Sequence, residues 1–140
     1  MKLVVKYVLT YEDLVNYVEY LRDLVSSGEE TMSELLDKFE SLLKLSSEEG
    51  EAEVEFISEV KLDLKDYSRL FSKSITNIID VISKYEPNSV SEVARLVNRD
   101  VANVYKDLKW LAELGLIEFE KVGNALKPIL KFKEICLKPD

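Results

Sequence analysis

The side chains best suited to recognition chemistry lie between Ser89 and Glu120, in the stretch SVSEVARLVNRDVANVYKDLKWLAELGLIEFE. Arg99 lies there in a turn just before a predicted helix, and Asn103 and Lys106 lie on or near the outside of that helix. An asparagine amide can pair bidentately with adenine, an arginine with guanine, and a lysine ammonium with phosphate. This set predicts a helix end that reads the major groove of duplex DNA.

The predicted DNA-binding surface extends to both sides of that helix. Two serine hydroxyls and free N–H groups at the start of the preceding helix could hold a phosphate. Polar side chains on a following hairpin could reach an adjacent backbone or the minor groove. The predicted contacts are Ser89, Ser91, Arg99, Ala102, Asn103, Lys106, Lys109, Lys121, Asn124 and Lys127.

Three helices must position these residues. Ser72 can cap a first helix, which stops before Pro87 because the residue before a proline disfavours helix. Ser89 and Glu92 form a capping box that opens a short second helix. Asp100 can cap a longer third helix, which Gly115 ends. The apolar positions expected to face inward are Ile75, Ile78, Ile79, Ile82, Val93, Leu96, Val97, Val101, Val104, Leu108, Leu111, Leu114 and Ile117.

A two-stranded hairpin is expected after the third helix. The run LIEFEKVGNALKPILKF alternates on both sides of Gly123-Asn124, a pair typical of a tight turn. Pro128 cannot donate to a ladder, so it should lie at a sheet edge or at an unpaired position. Helix, short helix, turn, longer helix and hairpin form the order of a winged helix-turn-helix, predicted over residues 73–133.

The N-terminal half predicts two strands and three helices. A strand from Lys2 to Leu9 leads into a helix capped by Thr10 and Asp13, with Gly28 at its end. A second helix should start at Thr31 with Glu34, and SSEEGEAE should be a loop. A strand over AEVEFISEV should pair with the first, before a short helix capped near Asp63. The expected buried helix positions are Leu14, Val18, Leu21, Val25, Met32, Leu35, Phe39, Leu42, Leu64, Tyr67, Leu70 and Phe71. The fold class is therefore α+β.

Charge divides the chain at about residue 72. Residues 1–72 carry 17 acidic and 8 basic side chains, a net −9, whereas residues 73–139 carry 9 acidic and 11 basic ones, a net +2. We therefore expect an acidic dimerisation or partner-binding lobe at 1–72 and a DNA-binding domain at 73–140. Two-fold DNA sites favour dimeric readers, so a homodimer is expected. A basic protein is a further possible partner for the acidic lobe.

Composition argues against several other classes of protein. The chain has no histidine and no glycine-rich nucleotide loop, and its carboxylates are spread along helix faces. We expect no enzymatic activity, no metal and no cofactor. Cys136 is the only cysteine, which fits a reducing cytoplasm. No run is apolar enough for a membrane span, and the N-terminus has no secretory signal pattern.

The C-terminal half resembles a known family. RDVANVYKDLKWLAELGLIE and KPILKFKEICL are similar to the winged helix-turn-helix and last strand of archaeal and bacterial DNA-binding regulators, MarR-like in fold. LDLKDYSRLFSKSITNIIDVI is similar to the lead-in helices of that family, and residues 28–50 look like an insertion. The resemblance implies DNA contacts at Arg99, Asn103 and Lys106, with Tyr105 where the family often has histidine. Some members are antitoxins of toxin–antitoxin pairs.

Two other functions are compatible with the same residues. Exposed lysines and asparagines on a helix often serve only solubility, and winged helices also act as protein-interaction adaptors. An antitoxin would combine DNA binding with capture of a basic protein by the acidic lobe. A continuous positive stripe along the third helix and hairpin would favour DNA over an adaptor role.

Overall fold

A computed structural model describes residues 2–139 of the chain and shows an α+β fold. Most helix starts follow from local capping. Side chains of Thr10, Asp63, Ser72, Ser89 and Asp100 accept hydrogen bonds from backbone N–H groups that have no partner inside their helices. The elements are β1 (Lys2–Leu9), α1 (Tyr11–Ser26), α2 (Ser33–Glu48), β2 (Val54–Val60), α3 (Leu64–Leu70), α4 (Lys73–Tyr85), α5 (Val90–Val97), α6 (Val101–Glu113), β3 (Ile117–Val122), β4 (Ala125–Leu130) and β5 (Phe132–Lys138).

The chain forms two compact units, and their division differs from the predicted one at residue 72. The smaller unit comprises residues 6–57, and the larger comprises residues 1–5 together with 58–140. The smaller unit carries 14 acidic and 4 basic side chains, a net −10, and the larger carries 13 acidic and 15 basic ones, a net +2. The difference in net charge is therefore larger between the two units than between the two predicted halves.

The smaller unit is built on α1 and α2, which pack against each other. Thr10 and Asp13 form the predicted reciprocal capping box at the start of α1. The buried apolar residues of this unit are Leu9, Leu14, Val18, Leu21 and Phe39.

Three predictions about α2 are wrong. Thr31 lies in a 3-10 turn, Glu30–Met32, so α2 begins at Ser33 without a side-chain cap. Leu35 is exposed, because the side of α2 that packs on the core carries its neighbour Leu36 together with Phe39 and Leu43. The helix also continues into the expected loop and ends at Glu48.

A three-stranded sheet has the order β2-β1-β5, so β1 is its central strand. The predicted pairing of the first two strands is confirmed. Exposure alternates along β2 as its sequence indicates. Salt bridges join Lys2 to Glu59 at 3.5 Å and Lys6 to Glu55 at 3.8 Å.

The short helix α3 buries less than its sequence pattern predicts. Leu70 is 2% exposed, but Leu64 is 82% exposed and Phe71 47%. Leu64 is the first residue of α3 and Phe71 is its C-cap, so both lie at helix ends. Burial of Leu64 and Phe71 was predicted wrongly for that reason.

The helix α4 ends as predicted before Pro87. Ile75, Ile78 and Ile82 are buried, whereas Ile79 is only half-buried. Glu86 ends the helix with φ 46°, ψ 57°, and its N–H donates to the Ile82 carbonyl. This left-handed conformation is one that glycine normally supplies.

A three-residue connection, Asn98 to Asp100, separates α5 from α6. Asn98 is left-handed at φ 55°, and the Arg99 N–H donates to the Ala94 carbonyl at 3.0 Å. That bond closes a Schellman motif, which ends α5 sharply. Asp100 then caps α6 by accepting from the Asn103 N–H at 3.2 Å.

In the larger unit, most helices pack against the element that comes next in the sequence. The helix α4 packs against α5 and β4, α5 packs against α6, and α6 packs against β3. Val104, Leu108 and Leu111 form the buried side of α6, as predicted. Leu96 and Val101 are exposed instead of buried, Leu114 is half-buried, and Ala94 and Leu116 take their places in the core.

The predicted hairpin is confirmed, with Val122 opposite Ala125 across the Gly123-Asn124 turn. Gly123 has φ 61° while Asn124 is not left-handed, as in a type II′ turn. Pro128 lies opposite Phe119 in β4, which pairs only with β3 in its sheet and is thus an edge strand. Among the described residues, no helix is both long and apolar enough to cross a membrane.

Candidate nucleic-acid interface

The outward side of α6 presents four of the predicted contacts. The opposite side of the helix is buried, whereas this side exposes Ala102, Asn103, Lys106 and Lys109. Within residues 2–139, neither lysine belongs to a salt bridge, and only the backbone of Asn103 is used by the cap. These side chains can therefore meet a ligand without first breaking an internal bond.

The start of α5 places its two serines differently. The Ser89 hydroxyl accepts from the Glu92 N–H at 3.0 Å, so it is occupied as a cap. Glu92 in turn accepts from the Asn88 N–H at 3.0 Å, where the predicted capping box would have used the Ser89 N–H. Ser91 is exposed on the first turn and remains open to an anion.

Arg99 is held inside the larger unit. Its Nη2 lies 2.9 Å from Asp107 Oδ2, and the other oxygen of that carboxylate accepts from Arg69 Nη2 at 3.2 Å. The Asp107 side chain is only 15% exposed. The Arg69 guanidinium also covers Trp110 at 4.3 Å from the ring centroid. Arg99, which was predicted to contact a base, therefore pairs with the Asp107 carboxylate.

The hairpin separates its two predicted lysines onto opposite faces. Lys121 shares a face of β3 with Phe119, whose ring stacks on Tyr105 of α6 at 6.3 Å. Lys127 pairs across the ladder with Glu120, on the other face. Asn124 is exposed at the turn. Lys121 therefore continues the α6 side of the molecule, and Lys127 does not.

The electrostatics of the α6 surface are more favourable to an anion than the residue count suggests. Asp107 is an acidic residue of α6, but two guanidinium groups neutralise its charge. Asp100 is committed to the helix cap. Glu113 is the remaining acidic residue of α6, and it lies at the end of the helix farthest from Asn103.

Sequence reasoning missed the roles of Arg69, Asp107 and Tyr105. No local spacing joins Arg69 to Asp107, which are 38 residues apart. Helical spacing does not join Arg99 to Asp107 either, because Arg99 precedes α6 and Asp107 lies within it.

Comparison with known proteins gives one match. Residues 70–137 match the model of a family described only as HVO_A0114. The match covers α4 to β4 completely, most of β5 and the last residue of α3. No curated protein and no solved structure matches the chain.

Proposed function

We propose that the protein is a sequence-specific, double-stranded DNA-binding transcriptional regulator that uses α4, α5, α6 and the β3–β4 hairpin as a winged helix-turn-helix. In this arrangement α6 enters the major groove, and its first turns contact base edges. Asn103 reads a base, Lys106 and Lys109 bind phosphates, and Ser91 and Lys121 bind the flanking backbone.

The observation that carries this proposal is the outward side of α6. It combines a small residue, an amide and two lysines, all exposed and in no salt bridge of the described residues. Side chains that served only solubility would not need to be kept apart from carboxylates. Here the Asp100 carboxylate caps α6, and the Asp107 carboxylate pairs with two arginines. The tight connection between α5 and α6 also matches the three- to four-residue turn of this motif.

The smaller unit, residues 6–57, is the acidic unit of the chain and has a different role in the proposal. Its net −10 charge repels phosphate, so it contributes selectivity rather than affinity. The dimer interface of the proposal lies within residues 1–72, which include the acidic unit, and a homodimer is proposed because two-fold operators are read by two-fold dimers. Light scattering should give a dimer mass at micromolar concentration, and a monomer mass would contradict this part of the proposal.

The testing experiment is selection from a random-sequence duplex pool, followed by binding measurements at two salt concentrations. A single enriched motif is expected, with a logarithmic salt slope of about −0.9 for each phosphate contacted. Lys109→Ala should reduce that slope, while Lys44→Ala, an exchange in the acidic unit, should leave it unchanged. Absence of enrichment and of any binding at low salt would instead favour a protein-interaction adaptor.

A further inference from the structure

Two arginines converge on one carboxylate next to the proposed DNA-reading surface. Asp107 receives Arg69 from α3 at 3.2 Å and Arg99 from the α5–α6 connection at 2.9 Å. Both arginine side chains are only partly exposed, at 40% and 30%. The carboxylate thus joins α3, the α5–α6 connection and α6 at a single point.

The cluster fixes the geometry of the α5–α6 connection. Arg99 is the residue whose N–H closes the Schellman motif, so its backbone is tied to α5 while its side chain is tied to α6. Arg69 additionally covers Trp110, one turn further along α6. A shift of α6 relative to the connection would break the Arg99 contact, and a shift of α6 relative to α3 would break both contacts of Arg69.

The cluster also keeps positive charge away from a bound polyanion. Arg99 Nη1 is buried, so the guanidinium presents little of its edge to solvent. An arginine in this position would otherwise be the strongest phosphate ligand near the start of α6, because its donors match a phosphate bidentately.

We propose that Asp107 is a positioning residue that sets DNA selectivity by holding Arg99 and Arg69 away from phosphate and by fixing α6 for base reading. This inference rests on the proposed DNA-binding function. Removal of the carboxylate charge releases two guanidinium groups, which bind phosphate at any sequence. The same change loosens the connection before Asn103, so affinity for the operator does not rise while affinity for random DNA does.

The test compares Asp107→Asn with Glu113→Gln, in the full-length protein. Both changes remove one negative charge from α6, but Glu113 is exposed and in no salt bridge of the described residues. Asp107→Asn should raise affinity for random-sequence DNA about three- to tenfold at low salt and steepen the salt slope by about one to two. Its ratio of operator to random-DNA affinity should fall about tenfold. Glu113→Gln should change each quantity less than threefold.

Two further variants separate positioning from folding. Asp107→Glu keeps the charge and should restore most of the selectivity. Arg99→Gln in the Asp107→Asn background should remove most of the gain on random DNA. If Asp107→Asn does not fold, Arg99→Gln alone decides the matter: an unchanged salt slope supports sequestration of Arg99, and a slope reduced by about one shows a phosphate contact and overturns the inference.

The outcomes also distinguish this inference from the proposed function. If the parent protein binds no DNA, both are overturned. If the parent selects an operator but Asp107→Asn behaves like Glu113→Gln, only the inference about Asp107 is overturned.

Discussion

Tyr105 of α6 stacks on Phe119 of β3, with ring centroids 6.3 Å apart and an angle of 28° between the rings. Tyr105 lies between Val104, which is buried, and Lys106, which is exposed. The pair therefore joins the outward side of α6 to the hairpin face that carries Lys121. In the proposed complex, this contact determines the angle between the two DNA-contacting elements.

A double-mutant cycle measures this contact. Tyr105→Leu and Phe119→Leu each retain apolar bulk, so their coupling isolates the ring interaction. We expect a coupling free energy of about 0.5–1.5 kcal/mol in urea unfolding. Tyr20→Leu, in the acidic unit at 62% exposure, is the control and should not couple with Phe119→Leu. A coupling of zero between Tyr105 and Phe119 would mean that the rings do not stack in solution.

The packing of α6 predicts a large loss at Leu108, which is fully buried. Leu108→Ala should lower the free energy of unfolding by about 2–5 kcal/mol, because it removes buried methyl groups and leaves a cavity. The neighbouring Lys109→Ala should change it by less than about 0.5 kcal/mol. Equal effects from the two substitutions, measured by chemical denaturation, would refute the orientation of α6.

Helix starts that are set by a side-chain cap were the most predictable part of the fold, whereas the uncapped start of α2 was predicted wrongly. Thr10, Asp63, Ser72 and Asp100 cap helices as expected, because a cap depends on neighbours three residues away. The Gly123-Asn124 hairpin is local in the same sense. The pairing of β5 with β1 joins opposite ends of the chain and was not predicted.

Burial was predicted less well at helix ends. Leu64 and Val101 fit their apolar patterns, yet each is the first residue of its helix and is exposed. Periodicity gives the direction of a side chain around a helix but not whether a neighbouring element extends far enough to cover it. The state of Arg99 was unpredictable for a related reason, since its partner Asp107 is oriented by Arg69 from a separate helix.

Backbone strain at Glu86 predicts a stabilising substitution. A side chain in the left-handed region costs about 1–2 kcal/mol, and glycine avoids this cost. Glu86→Gly should raise the free energy of unfolding by about 0.5–1 kcal/mol, after the greater flexibility of glycine in the unfolded chain is included. Glu86→Ala, which keeps a Cβ atom, is the matched control and should give no such gain. Thermal denaturation of the two variants would reveal the difference, and a destabilised glycine variant would contradict this account.

Tyr7 predicts a loss of stability in alkali. Burial raises the pKa of the Tyr7 phenol above its ordinary value of 10.0, and the neighbouring Tyr17 raises it further. The folded state therefore holds this proton more tightly than the unfolded state does. The resulting stability is complete below pH 10 and is lost as pH rises through the folded-state pKa. Tyr7→Phe should flatten the decline in unfolding midpoint above pH 10, and an unchanged decline would exclude Tyr7 as its source.

The most direct test of the proposed function compares Asn103→Ala with Lys106→Ala on a selected operator and on random duplex DNA. Asn103→Ala should reduce discrimination between the two by about 1–3 kcal/mol, the usual value of a bidentate base contact. Lys106→Ala should weaken both alike and lower the salt slope by about one, since a phosphate contact releases counterions without reading sequence. Both side chains are exposed, so neither change should alter the unfolding midpoint. If both variants bind operator and random DNA like the parent at either salt concentration, α6 does not read DNA.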